Sequence, residues 1–355
     1  MAQQELTAAS PALDRRAFIG KLERTAEAAA QAAGGFQDRD FAIADESIRL
    51  CFAGPALTPV IVPALAHLQS DLPGDPSLTV RVWDSLSTRT PMPPAPWRLD
   101  DYRQLGAIRG YFDEQIQAVY QLDSQSLTLV DPERASALFW TSSPGSVPFN
   151  ERSSPLRTLL HLWLSHRGLQ FAHAAALGYP NGCVLLPGRG GAGKSSSALA
   201  CLGSDLGYLA DDFCVLEPGQ PPLIHALYSS AKAHLESFER LGLPTSLIAN
   251  RVTEPTEKAV SFLHEHMPEK LLARAPLRAV LVPRITGERD TVVRPGSQAA
   301  ALAALAPSSI LMLPGSSAYS LQRLAGVVRT VPCYELAVGT DPDQIPRAIA
   351  RVLGR

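Results

Sequence analysis

The stretch NGCVLLPGRGGAGKSSSALACLGSDLGYLADDF, residues 181–213, decides the fold of this chain. Within it, residues 188–195 fit the pattern G-x-x-x-x-G-K-[ST] at every fixed position. The apolar run 183–186 has the length and branching of a buried strand, and the Ala- and Leu-containing segment 196–202 favours a helix. Because such a loop works between a strand and a helix, the sequence predicts a phosphate-binding loop.

The residue types of this loop explain how it would hold a nucleoside phosphate. Glycines let the backbone curl so that several N–H groups point at one phosphate. Lys194 can reach the outer phosphates as a point charge, and the Ser195 hydroxyl suits Mg²⁺. We therefore expect ATP and Mg²⁺ as cofactors. The residues expected to bind them are Gly188, Arg189, Gly190, Gly191, Ala192, Gly193, Lys194, Ser195 and Ser196.

Composition narrows the class of protein. The 355 residues exceed the usual size of a single core, which favours two domains. The 32 Lys and Arg against 34 Asp and Glu give a net charge of -2, so no basic field attracts nucleic acid or an acidic membrane. Five scattered cysteines without a C-x-x-C pair predict buried free thiols. No signal-peptide pattern and no run of about 18 apolar residues occurs, which predicts a cytoplasmic protein without a membrane partner.

Changes of pattern along the chain predict two domains. An Ala-rich helix up to Gly34 is followed, from Phe41, by short runs rich in β-branched and aromatic residues. These features predict an N-terminal α+β domain with a mostly antiparallel sheet, over residues 1–154. Pro155 suits the first turn of a helix that begins the second domain, over residues 155–355.

Candidate catalytic residues lie on both sides of the loop. A predicted strand over residues 169–177 carries His173 and forms a hairpin with the strand that feeds the loop. A later predicted strand, over residues 207–216, carries Asp211 and Asp212. Successive strand side chains point to opposite faces, so both acids can face one metal only where the strand ends. One acid can then hold Mg²⁺ while the other accepts a hydroxyl proton.

The order of these motifs resembles the catalytic domain of the HPr kinase/phosphorylase family. HAAAL precedes the loop, GRGGAGKSS forms it and LADDF follows it, so the resemblance is clearest across residues 171–213. Within that family the chain looks closest to HPr kinase-related proteins of bacterial gene clusters, including kinases of ribosomal peptides such as lasso precursors. The segments PLRTLLHLWLSHRGLQFAHAAAL, LYSSAKAHL, EKAV and PLRAVLVPR extend the resemblance over about the C-terminal half.

The resemblance implies an α/β fold, with a C-terminal P-loop kinase domain of HPr kinase type. It implies that Ser195 and Asp212 coordinate Mg²⁺, and that Lys194 and Asp211 are catalytic, Asp211 as a base helped by His173. It also implies an ATP- and Mg²⁺-dependent kinase that phosphorylates a hydroxyl, of Ser, on a protein or peptide such as a lasso-type precursor.

Two departures from the family pattern limit what the resemblance implies. Ser196 stands where HPr kinases have an acid directly after the loop Lys-Ser, and the Gly- and Arg-rich segment that serves the reverse reaction is not found. HPr as substrate and phosphorylase activity are therefore not carried over. Three basic residues remain candidates for a phosphate or acceptor clamp, namely Lys232 in a predicted helix over residues 231–241, Lys258 and Arg284.

Other functions remain open at this stage. A nucleotide-dependent binding module would use the same loop without chemistry, and a small-molecule kinase would act on free serine. A GTPase switch is disfavoured because no N-K-x-D segment is present, and an ABC-type ATPase because no LSGGQ-like segment is present. The acceptor, the choice between ATP and GTP, and assembly into a homo-oligomer are not determined by the sequence.

Overall fold

The structure is a computed structural model that describes residues 11–71, 74–254, 256–315 and 318–355. Its strands, numbered along the chain, are β1 Phe36–Ile43, β2 Glu46–Ala53, β3 Leu78–Asp84, β4 Ala107–Phe112, β5 Gln117–Gln121, β6 Ser126–Asp131, β7 Ser136–Thr141, β8 Gln170–Ala172, β9 Ala174–Tyr179, β10 Gly182–Pro187, β11 Gly207–Ala210, β12 Cys214–Glu217, β13 Leu223–His225, β14 Ser230–Ala233, β15 Ala259–Phe262, β16 Arg274–Ile285, β17 Val292–Pro295 and β18 Cys333–Val338. Its α-helices are α1 Pro11–Ala32, α2 Thr58–Leu65, α3 Ser85–Thr88, α4 Phe149–Arg152, α5 Arg157–His166, α6 Lys194–Ala200, α7 Leu235–Arg240, α8 Gln298–Ile310, α9 Ala318–Arg329 and α10 Gln344–Val352.

The N-terminal part combines α1 with a seven-stranded sheet. The strand order is β1-β2-β3-β7-β6-β5-β4, with β3 and β7 parallel and the pairs from β7 to β4 antiparallel. Phe18, Leu22 and Ala26 recur every four residues along α1 and so share one face. That face packs into one core with Trp83 and Trp140 of the sheet. The structure thus has the helix and the mainly antiparallel sheet expected in this region.

Strand β10, which precedes the predicted phosphate-binding loop, lies inside a nine-stranded mixed sheet of order β11-β9-β10-β16-β13-β12-β8, to which β18 and β17 add beside β16. β10 pairs antiparallel with β9, which confirms the predicted hairpin, and parallel with β16. β16 in turn runs parallel to β18. The loop strand is therefore central, where both of its faces are buried.

Helices cover both faces of this sheet. Val184 and Leu186 of β10 belong to one core cluster, which includes residues of α6 and α10. Cys183 and Leu185 belong to a second cluster, which includes residues of α8 and α9. Because neighbouring strand residues point to opposite faces, the two helix pairs lie on opposite sides of β10. An uninterrupted apolar strand in the sequence is explained by this double burial.

The chain does not divide at a single point. Contacts define two compact units, one of residues 1–39, 49–58 and 77–147, and the other of residues 40–48, 59–76 and 148–355. The domains expected from the sequence, 1–154 and 155–355, are each one continuous segment, and this division of the chain stays a prediction. All five cysteines are buried and free, as predicted. Over the described ranges, none of the helices combines the length and apolar character that crossing a bilayer requires.

Candidate nucleotide-binding site

The loop between β10 and α6 turns tightly around its glycines. Gly191 and Gly193 have φ of +81° and +99°, a backbone conformation that residues with a Cβ rarely adopt. A Cβ on Gly193 would also lie 3.3 Å from Cγ1 of Ile285 in β16. Arg189 and Gly190 are exposed at the turn. The tight curve of the loop therefore depends on glycine at positions 191 and 193.

The loop lines a cavity of about 1150 Å³. Outside the loop, the ionisable side chains in its wall are Arg157, His173, Asp212, Lys232, His234, Glu257 and Lys258. Ligand pockets are usually about 300–1,000 Å³. The cavity is therefore large enough for a nucleotide with part of a second substrate.

Lys194 folds back over the loop. Its side chain is buried, and its ammonium donates hydrogen bonds to the carbonyl oxygens of Gly188 and, at 3.2 Å, Arg189. Burial lowers the pKa of Lys194, and the nearby Asp211 and Asp212 oppose that shift. Carbonyl oxygens satisfy its hydrogen bonds without neutralising it, so the ammonium is available to an anion in the loop.

Two strand interruptions bring His173 to the Asp pair. Cys214 of β12 pairs with Ala172 of β8, and Ala210 of β11 pairs with Ala176 of β9. The residues between these pairs therefore lie opposite one another, with His173 facing the segment 211–213.

The continuous strands predicted over residues 169–177 and 207–216 are wrong at these two points. The backbone N–H of His173 donates to Ser309 Oγ at 2.9 Å instead of joining a strand ladder. The sheet changes partners here, because β8 pairs with β12 whereas β9 pairs with β10 and β11. At each interruption the side chains no longer alternate between the two faces of the sheet. His173 and Asp212 therefore line the cavity.

Asp212 is held by two cationic or hydrogen-bonding neighbours. His173 Nε2 lies 2.9 Å from its Oδ1, and the Lys232 ammonium forms an ion pair with its Oδ2. Burial opposes ionisation of Asp212, but the Lys232 charge and the His173 contact outweigh it and hold the pKa well below its usual range. Asp212 is thus an oriented carboxylate at neutral pH.

Asp211 has different surroundings. It is 2% exposed, and its Oδ2 accepts the backbone N–H of Lys232 at 2.7 Å. Its Oδ1 is buried and accepts no hydrogen bond from the described residues, although the Ser195 side chain lies close enough to lower the pKa. Burial outweighs these contacts and raises the pKa of Asp211. A buried carboxylate that has one unpartnered oxygen and a hydroxyl side chain nearby is a set of oxygen ligands that suits a hard cation.

His173 is fixed by its ring as well as its backbone. The ring lies 5.2 Å from that of Phe213, measured between centroids, and Nε2 faces Asp212. Nδ1 is buried and has no hydrogen-bond partner among the described residues. With Nε2 donating to an ionised carboxylate, the ring fixes where the Asp212 oxygens point.

The three basic residues considered for a phosphate or acceptor clamp occupy different places in the structure. Lys232 lies on β14, so the predicted helix over residues 231–241 is wrong at this position, because residues 230–233 pair with β15 and α7 begins only at Leu235. Lys232 and Lys258 both line the cavity. Arg284 instead forms an exposed ion pair with Glu335 at 2.9 Å, and does not line the cavity.

Sequence reasoning missed Arg157 and Phe213. Arg157 begins α5, a segment that attracts attention for its apolar stripe, and its guanidinium lies 5.2 Å from the centroid of the Phe213 ring. Phe213 directly follows the Asp pair. An Arg at the start of a mainly apolar helix, three residues before Leu160 of its stripe, was the available indication.

A second group of possible metal ligands lies outside the cavity. Donor atoms of Asp45, Glu217 and His225 lie within 4.8 Å of one another. His225 Nε2 already contacts Glu217 Oε2 at 2.7 Å, and Arg274 forms an ion pair with Asp45 at 2.5 Å. These contacts already engage all three side chains, so we interpret the group as a cluster of ion-pair and hydrogen-bond contacts.

Comparison with known proteins adds little to this geometry. No protein-family model matches the chain, and no curated protein matches it. Among solved structures, the Hpr(Ser) kinase/phosphatase from Coxiella burnetii matches at 10% sequence identity and a TM-score of 0.27, covering 52% of this chain and 94% of that one. A TM-score this low carries no weight for fold or function, so the site must be judged on its own residues.

Proposed function

We propose that this protein is a Mg²⁺- and ATP-dependent kinase that transfers the γ-phosphoryl group to a hydroxyl, of serine, on a protein or peptide. One observation carries the proposal. Asp211 lies beside Ser195 of the phosphate loop while the adjacent Asp212 is bonded to His173 and Lys232, at the wall of the same cavity. Nucleotide-binding and proton-accepting groups thus meet at one place.

The loop would bind the triphosphate. Its glycines allow backbone N–H groups to converge on phosphate oxygens, and Lys194 would exchange its carbonyl contacts for the outer phosphates. Lys232 and Lys258 add positive charge to the same cavity. Catalysis of phosphoryl transfer depends mainly on such positioning and charge neutralisation.

Ser195 and Asp211 are the residues that would hold Mg²⁺. The Asp211 side chain lies near that of Ser195, and its buried Oδ1 lacks a hydrogen-bond partner among the described residues, so the two side chains fit a small oxygen-preferring cation. Bound there, Mg²⁺ would offset the negative charge of the phosphates. This assignment exchanges the roles expected for the two acids from the family resemblance.

Asp212 would accept the acceptor proton. As the serine oxygen bonds to the γ-phosphorus, its O–H bond breaks, the proton passes to the Asp212 carboxylate and ADP leaves. His173 orients that carboxylate, and movement of the Lys232 ammonium toward phosphate would raise its basicity. Because the transition state is loose, a weakly basic but well-placed carboxylate suffices.

The acceptor class is part of the proposal. A cavity of about 1150 Å³ exceeds what a nucleotide needs, which favours a peptide segment, with lasso-type precursors as one such class, over free serine. The binding-module alternative loses support because neither acid points away from the nucleotide loop.

Labelled transfer tests the proposal. Purified protein would be incubated with γ-labelled ATP, with Mg²⁺ or with EDTA, and with a pool of serine-containing peptides or free serine. We expect Mg²⁺-dependent label on the serine oxygen of peptides, detected by mass. Tight nucleotide binding with label on no acceptor would instead favour a binding module, and label on free serine alone a small-molecule kinase.

A further inference from the structure

Arg157 places a cation in the cavity wall that the described residues do not neutralise. Its Nε is buried and lacks a hydrogen-bond partner, and across the described ranges no carboxylate forms an ion pair with its guanidinium. Its guanidinium lies over the Phe213 ring and interacts electrostatically with the buried Tyr228, which is not an anion. A guanidinium stays charged, and a partly buried charge is costly without an anion beside it. The missing anion is therefore expected to come from a ligand.

The backbone around Arg157 is held in place. Leu156, directly before it, has φ of +53°, which is unfavourable for a residue with a branched side chain. Tyr228 Oη donates to Pro155 O at 2.9 Å, and Ser230 Oγ donates to Ser153 O. Strained backbone persists where its surroundings fix it, and such positions cluster at functional sites. The segment directly before Arg157 is therefore rigid, because it is hydrogen-bonded to Tyr228 and to Ser230, the first residue of β14.

Arg157 lies next to the reaction centre. The Phe213 ring contacts two groups of the site. Its centroid lies 5.2 Å from the central carbon of the Arg157 guanidinium and 5.2 Å from the centroid of the His173 ring. The nucleotide phosphates already have Lys194 and Lys232, so Arg157 is an additional cation in the same cavity. Near it along the chain, Phe149 and Asn150 also line the cavity and offer a ring and an amide to a peptide.

We propose that Arg157 binds a carboxylate of the acceptor, and that the acceptor is a peptide with an acidic residue beside the phosphorylated serine. The proposal rests on the kinase function proposed above. Guanidinium and carboxylate pair through two parallel N–H···O bonds, a geometry that fixes orientation as well as position. That pair would hold the serine hydroxyl against Asp212. Free serine carries a carboxylate too, and the experiment separates the two sources.

The test uses the full chain and three peptides that differ only beside a single serine, with Glu, Gln or Lys at the neighbouring positions. Free serine is the fourth acceptor. We expect KM for the Glu peptide to be at least about tenfold below that for the Gln peptide. Arg157→Gln should raise KM for the Glu peptide to the Gln value, with the affinity for a fluorescent ATP analogue nearly unchanged.

Charge reversal distinguishes recognition from support of the fold. Arg157→Glu should shift the preference to the Lys peptide, and Arg157→Lys should keep part of the preference for Glu. Arg167→Gln is the matched control, because Arg167 also lies over an aromatic ring, that of Trp163 at 5.7 Å, but does not line the cavity. It should leave the acceptor preference unchanged.

Binding measurements keep the proposal testable if no transfer occurs. Fluorescein-labelled Glu and Gln peptides would be titrated into the protein with a non-hydrolysable ATP analogue. Tighter binding of the Glu peptide, lost in Arg157→Gln, supports the carboxylate subsite even if the kinase function fails. The proposal is overturned if wild type phosphorylates or binds the Glu and Gln peptides equally well. It is also overturned if Arg157→Glu keeps the wild-type preference for the Glu peptide. Phosphorylation of free serine alone, lost in Arg157→Gln, would contradict the peptide source.

Discussion

At the scale of single residues, Asp211 and Asp212 are neighbours in the chain whose pKa values are shifted in opposite directions. Burial raises the pKa of Asp211, whereas Lys232 and His173 overcome burial and lower that of Asp212. Titratable neighbours whose surroundings push their pKa values apart commonly divide the roles in a site. Together with the contacts of Asp211 with Ser195 and of Asp212 with His173 and Lys232, these shifts support the proposed roles of metal binding for Asp211 and proton acceptance for Asp212.

Replacing each acid by its amide tests that division. Asp212→Asn should lower kcat by about 10²- to 10⁴-fold, the usual range for a lost proton acceptor, and leave affinity for the ATP analogue nearly intact. Asp211→Asn should weaken Mg²⁺-dependent nucleotide binding by at least about tenfold. Titrations at several Mg²⁺ concentrations, beside transfer rates, separate the two effects. The opposite pattern, with Asp211→Asn affecting kcat alone, would restore the roles implied by the family resemblance.

At the scale of elements, the strand–loop–helix unit depends on the backbone of its turn. Gly193 has φ of +99°, and an added Cβ would press on Ile285 in the neighbouring strand β16. Gly193→Ala should therefore distort the loop and weaken nucleotide binding by at least about tenfold, since strain of this kind costs about 1–3 kcal/mol. Gly203→Ala is the control, because a Cβ there meets no atom within 4 Å. Equal nucleotide affinity in the two variants would contradict a role for the loop curvature.

The sequence predicted the elements of this unit better than the contacts of the site. The loop pattern and the apolar run before it specify local structure, and both occur as expected. The interruption at His173 was not predictable from periodicity, because residues on both sides of it are buried and apolar. The roles of two adjacent acids depend on which side chain meets Ser195 across the fold, and composition does not encode that contact. The local sequence predicts one helix over residues 231–241, whereas pairing of residues 230–233 with β15 makes Lys232 part of a strand.

At the scale of the whole molecule, buried histidines make stability depend on pH. Burial lowers the pKa of His161 on α5 from 6.5 to about 4, partly opposed by its contact with Pro314 O, and burial likewise lowers that of His67 to about 4. The unfolded chain binds these protons at higher pH than the folded chain does. Stability is therefore complete above the unfolded pKa and falls as the pH drops from about 6.5 toward 4.

Urea unfolding at neutral and acid pH measures this dependence. From about pH 7 to pH 5, His161 alone should remove about 2 kcal/mol from the free energy of unfolding. His161→Gln should make the loss smaller by that amount, whatever its effect at neutral pH. His166→Gln, on the same helix but exposed, should keep the wild-type dependence. A wild-type slope in His161→Gln would show that this histidine titrates normally in the folded chain.

The central claim is that one cavity both binds the nucleotide and transfers its phosphoryl group. The most direct measurement is transfer from γ-labelled ATP to the serine-peptide pool by wild type, Lys194→Ala, Asp212→Asn and Arg284→Gln, assayed side by side. We predict Mg²⁺-dependent transfer in wild type and in Arg284→Gln, whose ion pair with Glu335 lies outside the cavity, and loss of transfer in the other two. Transfer that persists at the wild-type rate in Lys194→Ala and Asp212→Asn would contradict the claim.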